Sequence, residues 1–208
     1  MSAIVDWARV ENLQPEPIMV EIWQTLPEEF RRLVEVTNGN AVRAETSTRL
    51  HQEAVSRIAD LIRSAAVAPI NQHNCDPLDV YIDIDVVLWE IPRATIRRPS
   101  VILLSRAPHE VRPLSAHQVK LVVEVATGAT STIYTVTKKS EYALAGIPWY
   151  WIVWIADNQV SSIQIHVLDH ALGQYRLHAL LKPSEVETFV EMPIRIEVDW
   201  GQLTGLTR

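Results

Sequence analysis

Cysteine is almost absent from this chain: Cys75 stands alone among 208 residues, which excludes an intramolecular disulfide framework and leaves one thiolate at most for a zinc site. The turn-formers around it make it a loop thiol with no assigned role. Long apolar runs are missing as well. No stretch is long enough to span a bilayer, and the first ten residues carry Asp6 and Arg9 in place of a basic head and a greasy segment, so an unexported, cytoplasmic protein without membrane contact is expected. There is no positive excess. The formal net charge of −6 argues against a surface that coats nucleic acid indiscriminately. Glycines number six, and no Gly-rich phosphate loop, nucleophile elbow or dinucleotide fingerprint is present. His51, His109 and His117 lack metal-ligand spacing and read as surface or helix-cap residues.

What the chain has is enough apolar residue, 48%, to build one sizeable core, so residues 1–208 read as a single domain with 1–25 as a peripheral arm. Its charge is segregated. Between Arg93 and Lys139 lie eight basic residues, including Arg97, Arg98, Lys120 and Lys138, against two acids, Glu110 and Glu124. That basic middle is either a footprint for phosphate or a solvated loop with scattered arginines.

Periodicity supplies the elements. Glu28–Val36 reads as a short helix stopped by Asn38 and Gly39, and His51–Ala65 as the clearest helix, with Ala54, Val55, Ile58, Leu61, Ile62 and Ala65 on one face. Asp79–Trp89, Ser100–Leu104 and Leu121–Val125 read as strands. A helix over Thr137–Ala145, capped by Thr137 and closed by Gly146 and Pro148, precedes a continuous apolar strand, Trp149–Ile155. Val160–Leu168 and Tyr175–Leu181 form a hairpin, and Ile194, Ile196 and Val198 alternate in a last segment. This order predicts an α/β fold, a mixed central sheet flanked by helices. Trp149, Trp151 and Trp154 belong to its core or to a homodimer interface, ahead of any base-stacking role.

Within Leu121–Val125, Glu124 is a lone carboxylate in an otherwise apolar strand. Burying it requires a cation, a metal or a dense set of donors. The segments Leu26–Phe30, Glu35–Gly39, His51, Arg97–Pro99, Leu121–Val125 and Glu141–Trp151 together resemble the Uma-two family, grouped with the restriction endonucleases of the PD-(D/E)XK nuclease superfamily. The resemblance implies a restriction-endonuclease-like fold and Mg²⁺-assisted phosphodiester hydrolysis, with nucleic acid as partner, DNA ahead of RNA. It places Glu124 at the family's metal-binding glutamate and Lys138 at its catalytic lysine, on the following helix, because Ala126 stands where Glu-x-Lys spacing would put a lysine.

The chain departs from that pattern at Ser100, which replaces the aspartate of the family's Pro-Asp pair, and at Tyr134, which stands where an acid is usual. A hydroxyl cannot supply the charge that makes a Mg²⁺ ligand strong. Asp83 and Asp85 share a face of the preceding strand, and Asp85 is taken as the substitute metal ligand beside Glu124. Glu35 reads as a helix surface charge that could join from above. The resulting expectation is a nuclease-fold protein with a weakened Mg²⁺ site; the alternatives are a non-catalytic member that binds nucleic acid or protein, and a Glu124 that merely forms a buried salt bridge with Lys138 or Arg98.

Overall fold

The computed structural model describes residues 16–44, 47–70, 77–105, 113–127, 130–184 and 188–206; the arm before residue 16, Cys75, Arg106, His109, Glu110, Arg112 and the side chain of Tyr134 lie outside that set. Two short helices, Val20–Thr25 (α1) and Glu28–Arg31 (α2), lead into a hairpin of Val34–Thr37 (β1) and Asn40–Arg43 (β2). The expected helix Glu28–Val36 therefore ends at Arg31. Asn38 and Gly39, with φ of 49° and 77°, form a two-residue hairpin turn rather than a helix stop, and the β-branched Val34 and Val36 follow the strand. Only glycine fits the turn's second position, because a Cβ on Gly39 would lie 2.6 Å from that of Pro17.

A 22-residue helix, Arg49–Ile70 (α3), extends the predicted His51–Ala65 at both ends and buries Ala54, Val55, Ile58, Ala59 and Ile62. The next segment, expected as one strand, splits into Leu78–Ile82 (β3) and Val86–Trp89 (β4). The break is at Asp83, whose φ of 49° turns the chain from one sheet into another. Thr95–Arg97 (β5), Val101–Ser105 (β6), Leu114–Ser115 (β7) and Val119–Thr127 (β8) follow. Helix Thr130–Leu144 (α4) starts seven residues before the predicted cap, so Thr137 is internal to it. It ends as expected: Gly146 at φ 77° lets the Ile147 N–H reach the Tyr142 carbonyl and its own N–H reach that of Ala143. Trp149–Ala156 (β9), the hairpin Gln159–Asp169 (β10) and Gln174–Leu181 (β11), and the small pair Phe189–Val190 (β12) and Ile196–Glu197 (β13) complete the chain.

Six strands make the central sheet in the order β11-β10-β9-β8-β6-β3, so the three strands predicted to be neighbours are neighbours. Its one parallel pair is β8 and β9, the pair joined by α4. Side chains alternate across this sheet. Val101, Leu103, Leu121, Val123, Trp151 and Val153 pack with α3, while Ile102, Leu104, Val122, Tyr150 and Ile152 pack with Tyr142 and Ala143 of α4. Trp149 and Trp151 are buried inside this single chain, which makes them core residues. A second sheet, β2-β1-β5-β4-β7, adds Val86, Leu88 and Leu114 to the α4-side core.

On that side His166 pairs across the strands with Tyr150, its ring 5.9 Å away. Burial, helped by Lys139, pushes its imidazole down to about 4. A base held below its ordinary value contributes stability that is complete above the unfolded value and is lost as pH falls through the folded one. The thermal midpoint of His166→Phe should therefore fall less steeply than that of the natural protein between pH 6.5 and about 4. Parallel slopes in the two proteins would refute this.

Candidate active site

Strand alternation turns Glu124 toward α4, where Lys138 and Tyr142, one helical turn apart, meet it. Lys138 Nζ lies 3.2 Å from Glu124 Oε1, and the Tyr142 hydroxyl donates to the same oxygen at 2.6 Å. The buried carboxylate thus has its cation in direct contact, as the strand pattern required. A second carboxylate joins them. Glu35, from β1, places Oε1 3.1 Å from Lys138 Nζ and accepts the Arg98 N–H on that oxygen at 3.0 Å. Its Oε2 takes Arg97 Nη1 at 2.8 Å, while Arg97 Nε and Nη2 donate to both oxygens of Glu141 at 2.6 and 2.7 Å.

One ammonium therefore serves two acids. Burial pushes the Glu35 carboxyl up, but Lys138, Arg97 and the Arg98 N–H together hold it below its ordinary value. Glu124 has only Lys138 and Tyr142 to help it, so burial, reinforced by the charge of Glu35, leaves it above. Lys138 is itself buried, which disfavours its charge, yet the two carboxylates beside it more than compensate and hold it protonated.

This cluster forms the floor of a cavity of about 620 Å³ at the end of β8, lined also by Arg32, Leu33, Arg43, His51, Asp83, Arg98 and Ser100. Ser100 precedes β6 one step beyond the Val101–Val123 pair, which puts it opposite Glu124; its hydroxyl accepts the Val125 N–H at 3.2 Å. His51 enters from the first turn of α3, held there by its N–H to Thr48 Oγ1 at 3.2 Å. Its Nδ1 contacts Ser47 Oγ at 2.9 Å and its ring also hydrogen-bonds the Val125 backbone. Burial holds the imidazole below its ordinary value, against the pull of Asp83. Partial burial raises the Asp83 carboxyl, countered by His51, Arg98 and Lys138.

The structure thus unites Glu124 with Lys138 but does not bring Asp85 to them. Asp85 does not line the cavity. Its Oδ1 accepts from Arg98 Nε at 2.9 Å, and its Oδ2 from Trp23 Nε1 at 3.1 Å with Arg31 at 3.7 Å, a commitment to holding α1 and α2 on the second sheet. The bend at Asp83 breaks the strand on which the two aspartates were to share a face, and it is Asp83 that reaches the cavity. Glu35 is no surface charge, because it lies on a buried strand. His51 and Glu35 both lay in the segments that carried the family resemblance, a signal without geometry. Of the basic middle, Arg97 and Lys138 are buried in ion pairs, while Arg93 and Lys120 are exposed.

The family profile described as "Uma2: Putative restriction endonuclease" matches residues 21–198, most of the chain. The chain belongs to the Uma2 family. No curated protein matches it. Among solved structures it is similar to a protein from Anabaena variabilis described as a "putative nuclease belonging to DUF820", with a TM-score of 0.58 and 14% identity over 85% of this chain and 90% of that one. That likeness establishes a nuclease-type fold for this Uma2 chain.

The residues present do not fit a tight Mg²⁺ site. Glu124 Oε1 already carries two donors, position 100 offers a hydroxyl engaged with the backbone, and among the described residues no three His, Cys, Asp or Glu side chains converge as a metal-binding group. What the arrangement offers by itself is a polar cavity whose floor holds an ammonium and two carboxylates in fixed positions.

Proposed function

We propose that this Uma2 protein engages nucleic acid, DNA ahead of RNA, at the cavity above Glu124 and Lys138, and that Mg²⁺-dependent phosphodiester hydrolysis there is weakened. The observation that carries the reading is Ser100: it occupies the position opposite Glu124 where the family places an aspartate, and its hydroxyl is spent on the Val125 N–H. With Glu124 the one carboxylate on that strand pair, Mg²⁺ has too little charge to hold it without help from substrate phosphates. Lys138 would orient a phosphate or water only by relaxing its hold on Glu35 and Glu124.

A lone cysteine supports a reducing, cytoplasmic setting, and among the described residues no helix is long and apolar enough to cross a membrane. The full pairing of Lys138 favours a second reading, a non-catalytic binding member of the fold. Purified protein incubated with Mg²⁺ and either duplex or single-stranded DNA should show little or no cleavage. Robust cleavage abolished by Glu124→Ala would overturn the weakened reading and make Asp83 the substitute ligand.

A further inference from the structure

Strand β8 reaches the cavity without a complete neighbour. Val101 pairs with Val123, so the antiparallel register carries Ser100 opposite Glu124 and Pro99 opposite Val125, yet β6 itself begins only at Val101. The Val125 N–H points to the β6 side, where the Ser100 hydroxyl accepts it at 3.2 Å. A strand residue directs its N–H and C=O to the same side, and in a bonded antiparallel pair the two residues exchange both bonds. The Val125 carbonyl therefore faces Pro99. Proline has no N–H to give it. Val125 is 3% exposed and Pro99 is buried, so the carbonyl needs another donor.

That donor comes from α3. His51 stands in the helix's first turn in line with Val55, Ile58 and Ile62, the stripe that packs on the central sheet, and it lines the cavity together with Val125. Its ring hydrogen-bonds the Val125 backbone. The Val125 N–H is already taken by Ser100, and while burial lowers the imidazole, the Val125 bond works in the opposite direction, as an acceptor does. The partner is thus the carbonyl. Nδ1 lies 2.9 Å from Ser47 Oγ, which leaves Nε2 to donate.

We propose that His51 is a positioning residue of the candidate active site: its Nε2–H stands in the sheet for the amide hydrogen that Pro99 lacks, and so fixes the end of β8 on which Glu124 meets Lys138. A neutral ring suffices for this, with the Ser47 hydroxyl donating to Nδ1 and selecting the tautomer. That the fixed strand end serves a function rests on the reading of the cavity as a nucleic-acid site.

The test is NMR spectroscopy of the full chain at pH 7, in EDTA and without nucleic acid. A failure there leaves the nucleic-acid reading standing, and a failure of DNA binding leaves this contact standing. A long-range proton–nitrogen spectrum should show the His51 proton on Nε2. His51→Phe keeps the ring's bulk and removes the donor. In it the Val125 amide should exchange at least about fivefold faster, the effect of leaving one buried acceptor unpaired, while Val123, inside the ladder, changes less than about twofold. The side-chain carboxyl carbon signal of Glu124 should shift as well. Adding Pro99→Ala returns an N–H to the ladder, so the double variant should recover both the natural exchange rate and the natural Glu124 signal. Lost packing at position 51 would not be repaired at position 99. If His51→Phe does not fold, the tautomer in the natural chain still decides, as does recovery of folding in the double variant. A His51 proton on Nδ1, natural Val125 exchange in His51→Phe, an unmoved Glu124 signal, or a double variant no better than the single one would each overturn the inference.

Discussion

Lys138→Met should destabilise the fold by about 3–5 kcal/mol, the usual cost of removing one partner of a buried ion pair. Lys138 is 8% exposed and lies 3.1 and 3.2 Å from two carboxylates, which are 3% and 7% exposed, so its loss leaves Glu35 and Glu124 as buried like charges with no ammonium between them. Methionine keeps most of the stem's volume, which confines the change to charge. The sign of the pH dependence follows. Without the ammonium Glu124, already held up by burial, moves further above its unfolded value, while Glu35 loses one of the cations that hold it down. A group whose folded value is raised stabilises the fold at low pH and loses that contribution as pH rises. The variant should therefore be weakest near neutrality and recover towards the natural protein as pH falls to about 4.5, the ordinary glutamate value. Denaturant melts at pH 7 and pH 4.5 measure this. Adding Glu124→Gln should restore part of the loss, because one of the stranded charges is gone. A pH-independent loss that the second substitution leaves unaltered would mean that Lys138 acts through packing alone.

Ser100→Asp should move Mg²⁺ affinity most. The antiparallel register sets residue 100 opposite Glu124, and directly opposed side chains on one face have Cβ atoms about 4.5–5.5 Å apart. An aspartate there faces Glu124 across the cavity floor, a spacing that one hard cation can bridge. Without metal the two charges repel, so the variant should melt below the natural protein in EDTA; with Mg²⁺ it should regain the difference, since a ligand that binds only the folded state stabilises it. Titration calorimetry should show Mg²⁺ binding tightened by about tenfold or more, equivalent to ~1.4 kcal/mol. If the folded variant binds Mg²⁺ no better than the natural chain, Ser100 is not the reason the site is weak. Mg²⁺ gained without any cleavage would instead favour the non-catalytic reading, because a restored metal site would still lack a usable lysine.

The sequence by itself determined the middle of the sheet and the pair at its end. Apolar runs such as Leu121–Val125 and Trp149–Ile155 can be satisfied only between two covering layers, and the amphipathic stripe on His51–Ala65 supplies one of them. A charge inside such a run needs a cation nearby, which is why Glu124 could be assigned a partner before its position was known. Tertiary structure decided everything that depended on a change of direction. A left-handed residue at Asp83 divides one alternating segment between two sheets, sending Asp83 to the cavity and Asp85 to Trp23 and Arg98. Asn38 and Gly39 fold Glu35 back on a strand so that it shares the lysine of Glu124. Periodicity reports which face a side chain occupies; it is silent on where the chain turns, and the other members of this charge cluster meet only through those turns.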